Sequence, residues 1–182
     1  KKFIYKVVKP GARAREYESA LNWLNDADLV RKVYNVTKTD LPLVAYNDLS
    51  SFKIYMNDVG LLRNMANLDS RIVIEGDKLF EEFKGAFTEN YILNMLSASL
   101  GKNPNYFTFD RHEIDFVIQY QNKVIPIEVK SSKSTNNASL TKYNEKYNND
   151  LSIRFSMNNL NKDDKIINIP LFMVEYMKKI LV

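Results

Sequence analysis

The chain has 182 residues, 45% of them hydrophobic and 26% charged, a globular balance that excludes wholesale disorder and suits one domain or one domain with a small appendage. No apolar run is long enough for a spanning helix, no signal-peptide pattern opens the sequence and cysteine is absent, so a cytoplasmic, membrane-free setting is expected. A net charge of +4 is compatible with a polyanionic partner without requiring one.

The first residue is Lys1 rather than Met, so the chain is expected to be part of something longer. Residues 1–11 read as extended and end in Pro10-Gly11, a turn signal. Over 12–27, Tyr17, Ala20, Leu21 and Leu24 recur at helical spacing. A strand is expected over 29–36, a turn over 37–42 and a returning strand over 43–46. Helix plus β-hairpin is the second half of a winged-helix unit, so 1–50 reads as a partial winged-helix segment and 51–182 as the main domain. Arg13, Arg15, Arg31, Lys32 and Lys38 would meet phosphates if that helix entered a groove. A solvated basic face is the other reading.

Residues 51–56 read as a short strand, and Asp58 caps a helix that runs through 68 with Val59, Leu62 and Met65 on one side. The longest helix is expected over 77–98, with Phe80, Phe83, Phe87 and Tyr91 as its main apolar stripe. Glu89 lies off that stripe, and its i±3 and i±4 neighbours are Gly85, Ala86, Ile92 and Leu93. An acid in such company sits at a helix edge or faces something polar inside the fold. Gly85 in mid-helix costs about 1 kcal/mol relative to Ala, which is acceptable where something must approach closely.

A turn over 101–105 and a strand over 106–109 lead through Asp110-Arg111 into the stretch EIDFVIQYQNKVIPIEVKSS, residues 113–132. His112, the single histidine, reads as an exposed turn residue, and without cysteine or a second histidine zinc is disfavoured. The 113–132 stretch reads as two strands joined at Gln121-Asn122, with Asn at a position that tolerates positive φ. Pro126 has no N–H to give a central strand, so a bulge or irregularity is expected there. Acids interrupt these apolar runs: Asp115 between Ile114 and Phe116, Glu128 between Ile127 and Val129. If the strands pair about their turn, Asp115 comes near Glu128 and Lys130.

Charges in an apolar sheet cost several kcal/mol, roughly, unless they are paired or hold a metal. Carboxylate oxygens suit Mg²⁺, or Mn²⁺ in its place, and Mg²⁺ is commonly held by only one or two of them. Asp115, Glu128 and the Val129 carbonyl are the expected ligands. The neighbouring Lys130 would serve an attacking water and the charge on phosphorus. A structural Asp–Lys–Glu cluster at a sheet end is the alternative.

Beyond the motif, residues 133–137 and 158–165 read as polar loops, 139–148 as a helix burying Leu140, Tyr143 and Tyr147, and 151–157 as a strand carrying Arg154. Ser131, Lys133, Lys142 and Lys146 are candidate nucleic-acid contacts, forming a phosphate track with Lys130 unless they are simply solvated. A strand over 165–169 is followed by an amphipathic helix from Pro170 with Phe172, Met173, Tyr176, Met177 and Ile180 on one side. The order β–α–β–β–β–α–β across 51–157 gives an α/β fold, a mixed sheet flanked by helices.

Asp, a dozen residues, then Glu-x-Lys is similar to the core of PD-(D/E)XK nucleases. More widely, the blocks ARAREYESALNWL, VYNVTKTDLPLVAY, FKIYMNDVGLL, LFEEFKGAFTENYI, EIDFVI, IPIEVKSS, SLTKYNEKY and IPLFMVEYM resemble, in order, the C-terminal part of prokaryotic AAA-type ATPases. In that family a P-loop core is followed by a winged-helix segment and a nuclease-like domain of unknown function. The resemblance implies a restriction-endonuclease-like fold with Glu89, Asp115, Glu128 and Lys130 at the nuclease-type positions, and Pro126 also suits it. It implies an N-terminal ATPase core as partner, and DNA as the nucleic acid. No G-x-x-x-x-G-K-[ST] occurs in this chain, so ATP hydrolysis is not expected of it. Two functions follow as expectations: a Mg²⁺-dependent DNA phosphodiesterase, or a non-catalytic nuclease-like module that binds nucleic acid or a protein partner and regulates the ATPase.

Overall fold

The computed structural model describes residues 2–4, 14–68, 78–134 and 136–181, the side chains of 14, 15 and 78–82 excepted. The expected Pro10-Gly11 turn, Arg13 and the side chains of Arg15 and Phe80 lie outside that set. Helix α1 (Ala14–Asp26) leads into β1 (Val30–Val36) and β2 (Asn47–Met56). Then come α2 (Val59–Met65), the long α3 (Lys78–Leu100), β3 (Asn105–Phe109), β4 (His112–Tyr120) and β5 (Lys123–Val129). Helix α4 (Ala138–Tyr147), β6 (Ser152–Ser156), β7 (Asn161–Asp163), β8 (Ile166–Pro170) and α5 (Met177–Ile180) close the chain.

All eight strands form one sheet in the order β2-β1-β3-β4-β5-β6-β8-β7. It is mixed: β1–β3, β5–β6 and β6–β8 pair parallel, the rest antiparallel. The strand at 29–36 and its partner are therefore part of the sheet, and the expected boundary at 50/51 falls inside β2. Residues 43–46 are a single 3₁₀ turn rather than the returning strand, which runs from Asn47. Leu43 alone of that turn is buried, so one apolar anchor fixes the loop without committing it to the ladder.

Successive residues of a strand face opposite sides, and the two cores follow that rule. On one face Phe116, Ile118, Ile125, Ile127, Ile153 and Phe155 pack with Ile92, Leu93 and Leu96 of α3. On the other, Val117, Phe107 and Phe109 pack with Leu140 and Tyr143 of α4. Each such side chain, fully buried, contributes about 1.5–3 kcal/mol. The buried stripe of α3 is thus Ile92, Leu93 and Leu96, not the aromatic one: Phe83 is exposed and Phe87 and Tyr91 only partly covered. Among the described side chains, it is the C-terminal half of the helix that supplies the fully buried apolar ones.

Several turns resolve differently from their sequence signals. In the β4–β5 hairpin the positive φ, 51°, falls on Gln121. Pro126 sits in regular register opposite Val117, with no bulge in that ladder. The Lys130 N–H points to Phe155 on β6, so by alternation residue 126 would also aim its nitrogen at β6. The β5–β6 pairing starts at Ile127, one residue later, and no ladder bond is lost. Residues 161–163, expected in a loop, form the short, exposed, charged edge strand β7, a composition that resists further strand addition. After Pro170 the chain makes a 3₁₀ helix over Leu171–Tyr176 before α5. Three residues per turn bury Val174 and Met177 and leave Phe172 and Tyr176 in solvent. Asp58 caps α2 as expected, its carboxylate accepting the Leu61 N–H at 2.6 Å.

Candidate functional site

The tight turn at Gln121-Asn122 holds β4 against β5 in a register that runs from Tyr120↔Lys123 to Phe116↔Ile127. One step further, at Asp115 and Glu128, the pairing ends. There the Asp115 carboxylate, through Oδ2, accepts the Val129 N–H at 2.8 Å. A side chain has taken the amide that a continued ladder would have used. Glu128 and Val129 pair on their other side with Arg154 and Phe155 of β6.

Glu128 is 6% exposed. Its Oε1 is 2.5 Å from Lys130 Nζ, while Oε2, also buried, has no hydrogen-bond partner among the described residues. A buried carboxylate oxygen without a donor costs about 1–3 kcal/mol or more, so its retention calls for a ligand or a functional reason. Asp115 is perturbed as well. Burial and then the Glu89 carboxylate push it up to about 7, with Glu128 adding to the effect, against the opposing pull of the Val129 N–H and Lys53.

Glu89 reaches this group from α3, but not as a free acid. Its Oε1 accepts from Lys53 Nζ at 3.1 Å and from the Tyr55 hydroxyl in a short contact. Lys53 in turn donates to Glu113 at 2.7 Å and lies 5.0 Å over the Tyr106 ring. It is only 2% exposed. Burial works against the Lys53 charge, yet Glu89 and Glu113 outweigh it and hold the ammonium above its ordinary range. Burial, reinforced by Glu89, pushes the Tyr55 hydroxyl far above its usual value, so it acts as a donor.

Lys53, Tyr55 and Glu113 were not singled out by the sequence. A signal was present: Lys53 stands between Phe52 and Ile54 just as Asp115 stands between Ile114 and Phe116. A charge inside an apolar strand is the same cue at both places.

The remaining candidates divide. Lys146 is held by Asp110, at 2.8 and 2.9 Å, and sits over the Phe109 and Tyr147 rings. That pairing keeps Asp110 below the usual carboxylate range, with Lys142 contributing through its charge. Lys133 is exposed and its carbonyl accepts from Asn158 Nδ2 at 3.3 Å, and Ser131 is half-buried. His112 begins β4 rather than lying in the turn, its ring 5.5 Å from that of Phe109.

Among the described residues no three Asp, Glu or His side chains form a group that could hold a metal ion. Glu128 is near enough for its charge to raise the Asp115 carboxyl, and the Val129 carbonyl is next to Glu128 in the chain. The donor chemistry of that pair fits one Mg²⁺ or Mn²⁺ that keeps several of its waters, and the orphaned Glu128 Oε2 is the atom such an ion would satisfy.

Fold and site together define a mixed α/β domain with four carboxylates, Glu89, Glu113, Asp115 and Glu128, and two lysines, Lys53 and Lys130, around the place where β4 and β5 stop pairing. Residues 84–172 match the family described as Domain of unknown function (DUF4143), and residues 1–72 match a second, Domain of unknown function (DUF8612). Glu89, Asp115, Glu128 and Lys130 fall in the first, Lys53 and Tyr55 in the second. The chain is 30% identical over 84 residues to the Uncharacterized protein Mb2031c of Mycobacterium bovis and to the Uncharacterized protein Rv2008c of Mycobacterium tuberculosis. Those residues make up 45% of this chain and 18% of each relative, so it spans a small part of their length. No solved structure matches the chain significantly. No helix among the described residues is long and apolar enough to cross a membrane.

Proposed function

We propose that this domain is a restriction-endonuclease-like, divalent-metal-dependent DNA phosphodiesterase. The observation that carries the reading is Glu128 Oε2, buried and unpartnered next to an aspartate already raised to about 7. Asp115, Glu128 and the Val129 carbonyl would hold one Mg²⁺ or Mn²⁺. Once bound, such an ion polarises a phosphodiester and acidifies a water. Lys130 would leave Glu128 to orient the attacking water and to neutralise charge developing on the phosphate. Glu89, committed to Lys53 and Tyr55, would position rather than ligate. Exposed Lys133 and Lys142 would contact the backbone of the DNA, with Ser131 supplying a hydroxyl. On the same reading the domain works beside an N-terminal AAA-type ATPase core.

A second reading has its own support. Glu128 is buried and paired with Lys130, as in a relic site kept for binding nucleic acid or a protein and regulating the ATPase. A cleavage assay separates the two, on linear, single-stranded and branched DNA with Mg²⁺ or Mn²⁺, alongside Glu128→Gln and Lys130→Ala. The enzyme reading expects cutting that falls at least about 100-fold in both variants while DNA affinity holds. Cutting that survives both substitutions removes the mechanism. Salt-dependent DNA binding with no cutting by any protein selects the second reading.

A further inference from the structure

Beside Glu89 lies an open cavity of about 310 Å³, lined by Lys53, Tyr55, Glu89 and Asn90 together with Leu62 of α2 and Ala86 of α3. Three carboxylates, those of Glu89, Glu113 and Asp115, act on the Lys53 ammonium that borders it. Two of them touch it, at 3.1 and 2.7 Å. Lysine is almost never this completely buried unless its charge is answered on the spot.

We infer that Lys53 is the resident cation of the Glu89 side of the site: it holds the place a second divalent ion would take and limits the site to one ion, at Asp115 and Glu128. An ammonium at hydrogen-bond distance answers the same oxygens that a Mg²⁺ would bind at about 2.0–2.1 Å. Glu89 Oε1 already receives two donors, Lys53 and Tyr55, and the two come from one face of β2, two residues apart. With Lys53 neutralised, the cavity would be bordered by uncompensated carboxylates and has room for a hydrated ion. The inference rests on the proposed ion at Asp115 and Glu128.

Mn²⁺ titration followed by electron paramagnetic resonance, with no substrate present, tests it. The full chain is compared with Lys53→Met, Lys53→Gln and Lys53→Arg, each checked for folding by circular dichroism. The Gln variant retains a neutral donor on that side of β2, and carries the test if the Met variant fails to fold. One ion per chain in the parent and in Lys53→Arg, rising to two in the neutral variants, is the expected result. One ion throughout, at unchanged affinity, overturns the role of Lys53 and leaves the ion at Asp115 and Glu128 standing. Two ions in the parent do the same. No ion in the parent but one in the neutral variants supports Lys53 as the resident cation and overturns the Asp115–Glu128 pair. No ion in any protein overturns both.

Discussion

Replacing Asp115 by Asn should make the metal-free protein more stable at neutral pH than its parent, and the gain should grow with pH. Burial and Glu89 move the Asp115 carboxyl from 3.8 to about 7. A group whose pKa is raised by folding is tolerated in full below about pH 4, where it is protonated in both states. Between about pH 4 and 7 the unfolded chain loses that proton and the folded chain keeps it, so stability falls as pH rises. Above about 7 the loss is complete. At 1.36 kcal/mol per pH unit the interval corresponds to about 4 kcal/mol. Relaxation of a carboxylate that is not wholly enclosed reduces it to about 2–4 kcal/mol. The Asn amide oxygen can still accept the Val129 N–H, so the strand geometry is kept. Urea unfolding of both proteins in chelator, at intervals from pH 4 to 8, reads the group together with the Glu89 and Glu128 carboxyls that act on it. The variant should gain about 2–4 kcal/mol on its parent across that range. With Mg²⁺ at about 100 times its dissociation constant the parent alone should recover about 2.7 kcal/mol. A difference that stays flat with pH, or reverses sign, refutes the assignment of a strained carboxylate at this position.

Gly85 lies on the exposed side of α3, and a Cβ there meets nothing within 4 Å. The close approach that would justify glycine is absent, so Gly85→Ala should raise stability by about 0.5–1 kcal/mol in denaturant unfolding. Asn168, 2% exposed, accepts from Arg154 Nε and the Ser156 hydroxyl and donates to the carbonyls of Asn158 and Asn159. Asn168→Ala strands several buried partners at once and should cost about 3 kcal/mol, read as a lower urea midpoint with an unchanged slope. Lys146 is exposed and tied to Asp110. Lys146→Ala should leave the urea midpoint unchanged and the salt dependence of DNA affinity unaltered, whereas Lys142→Ala should flatten it by about one phosphate contact.

Much of this protein is legible in short stretches of its sequence. Alternation in 113–120 and 123–129, with a two-residue connection, is enough to pair β4 with β5 as far as Phe116 and Ile127, the neighbours of Asp115 and Glu128. The Asp58 cap and the core positions Leu140 and Tyr143 are equally local. These features depend on neighbours within a turn or a strand pair, where spacing alone dictates geometry. The site's balance of charge does not. Lys53 meets Glu89 across 36 positions and Glu113 across 60, and only the sheet order β2-β1-β3-β4 sets how β2 and the motif strands are disposed about α3. Periodicity marks which residues of α3 are apolar, but whether Phe83 or Leu93 is buried depends on which half of the helix meets the sheet. The composition of strands and turns is written locally, while partners for buried charge are chosen by packing, because the cost of an unanswered ion is set by whatever the assembled fold places beside it.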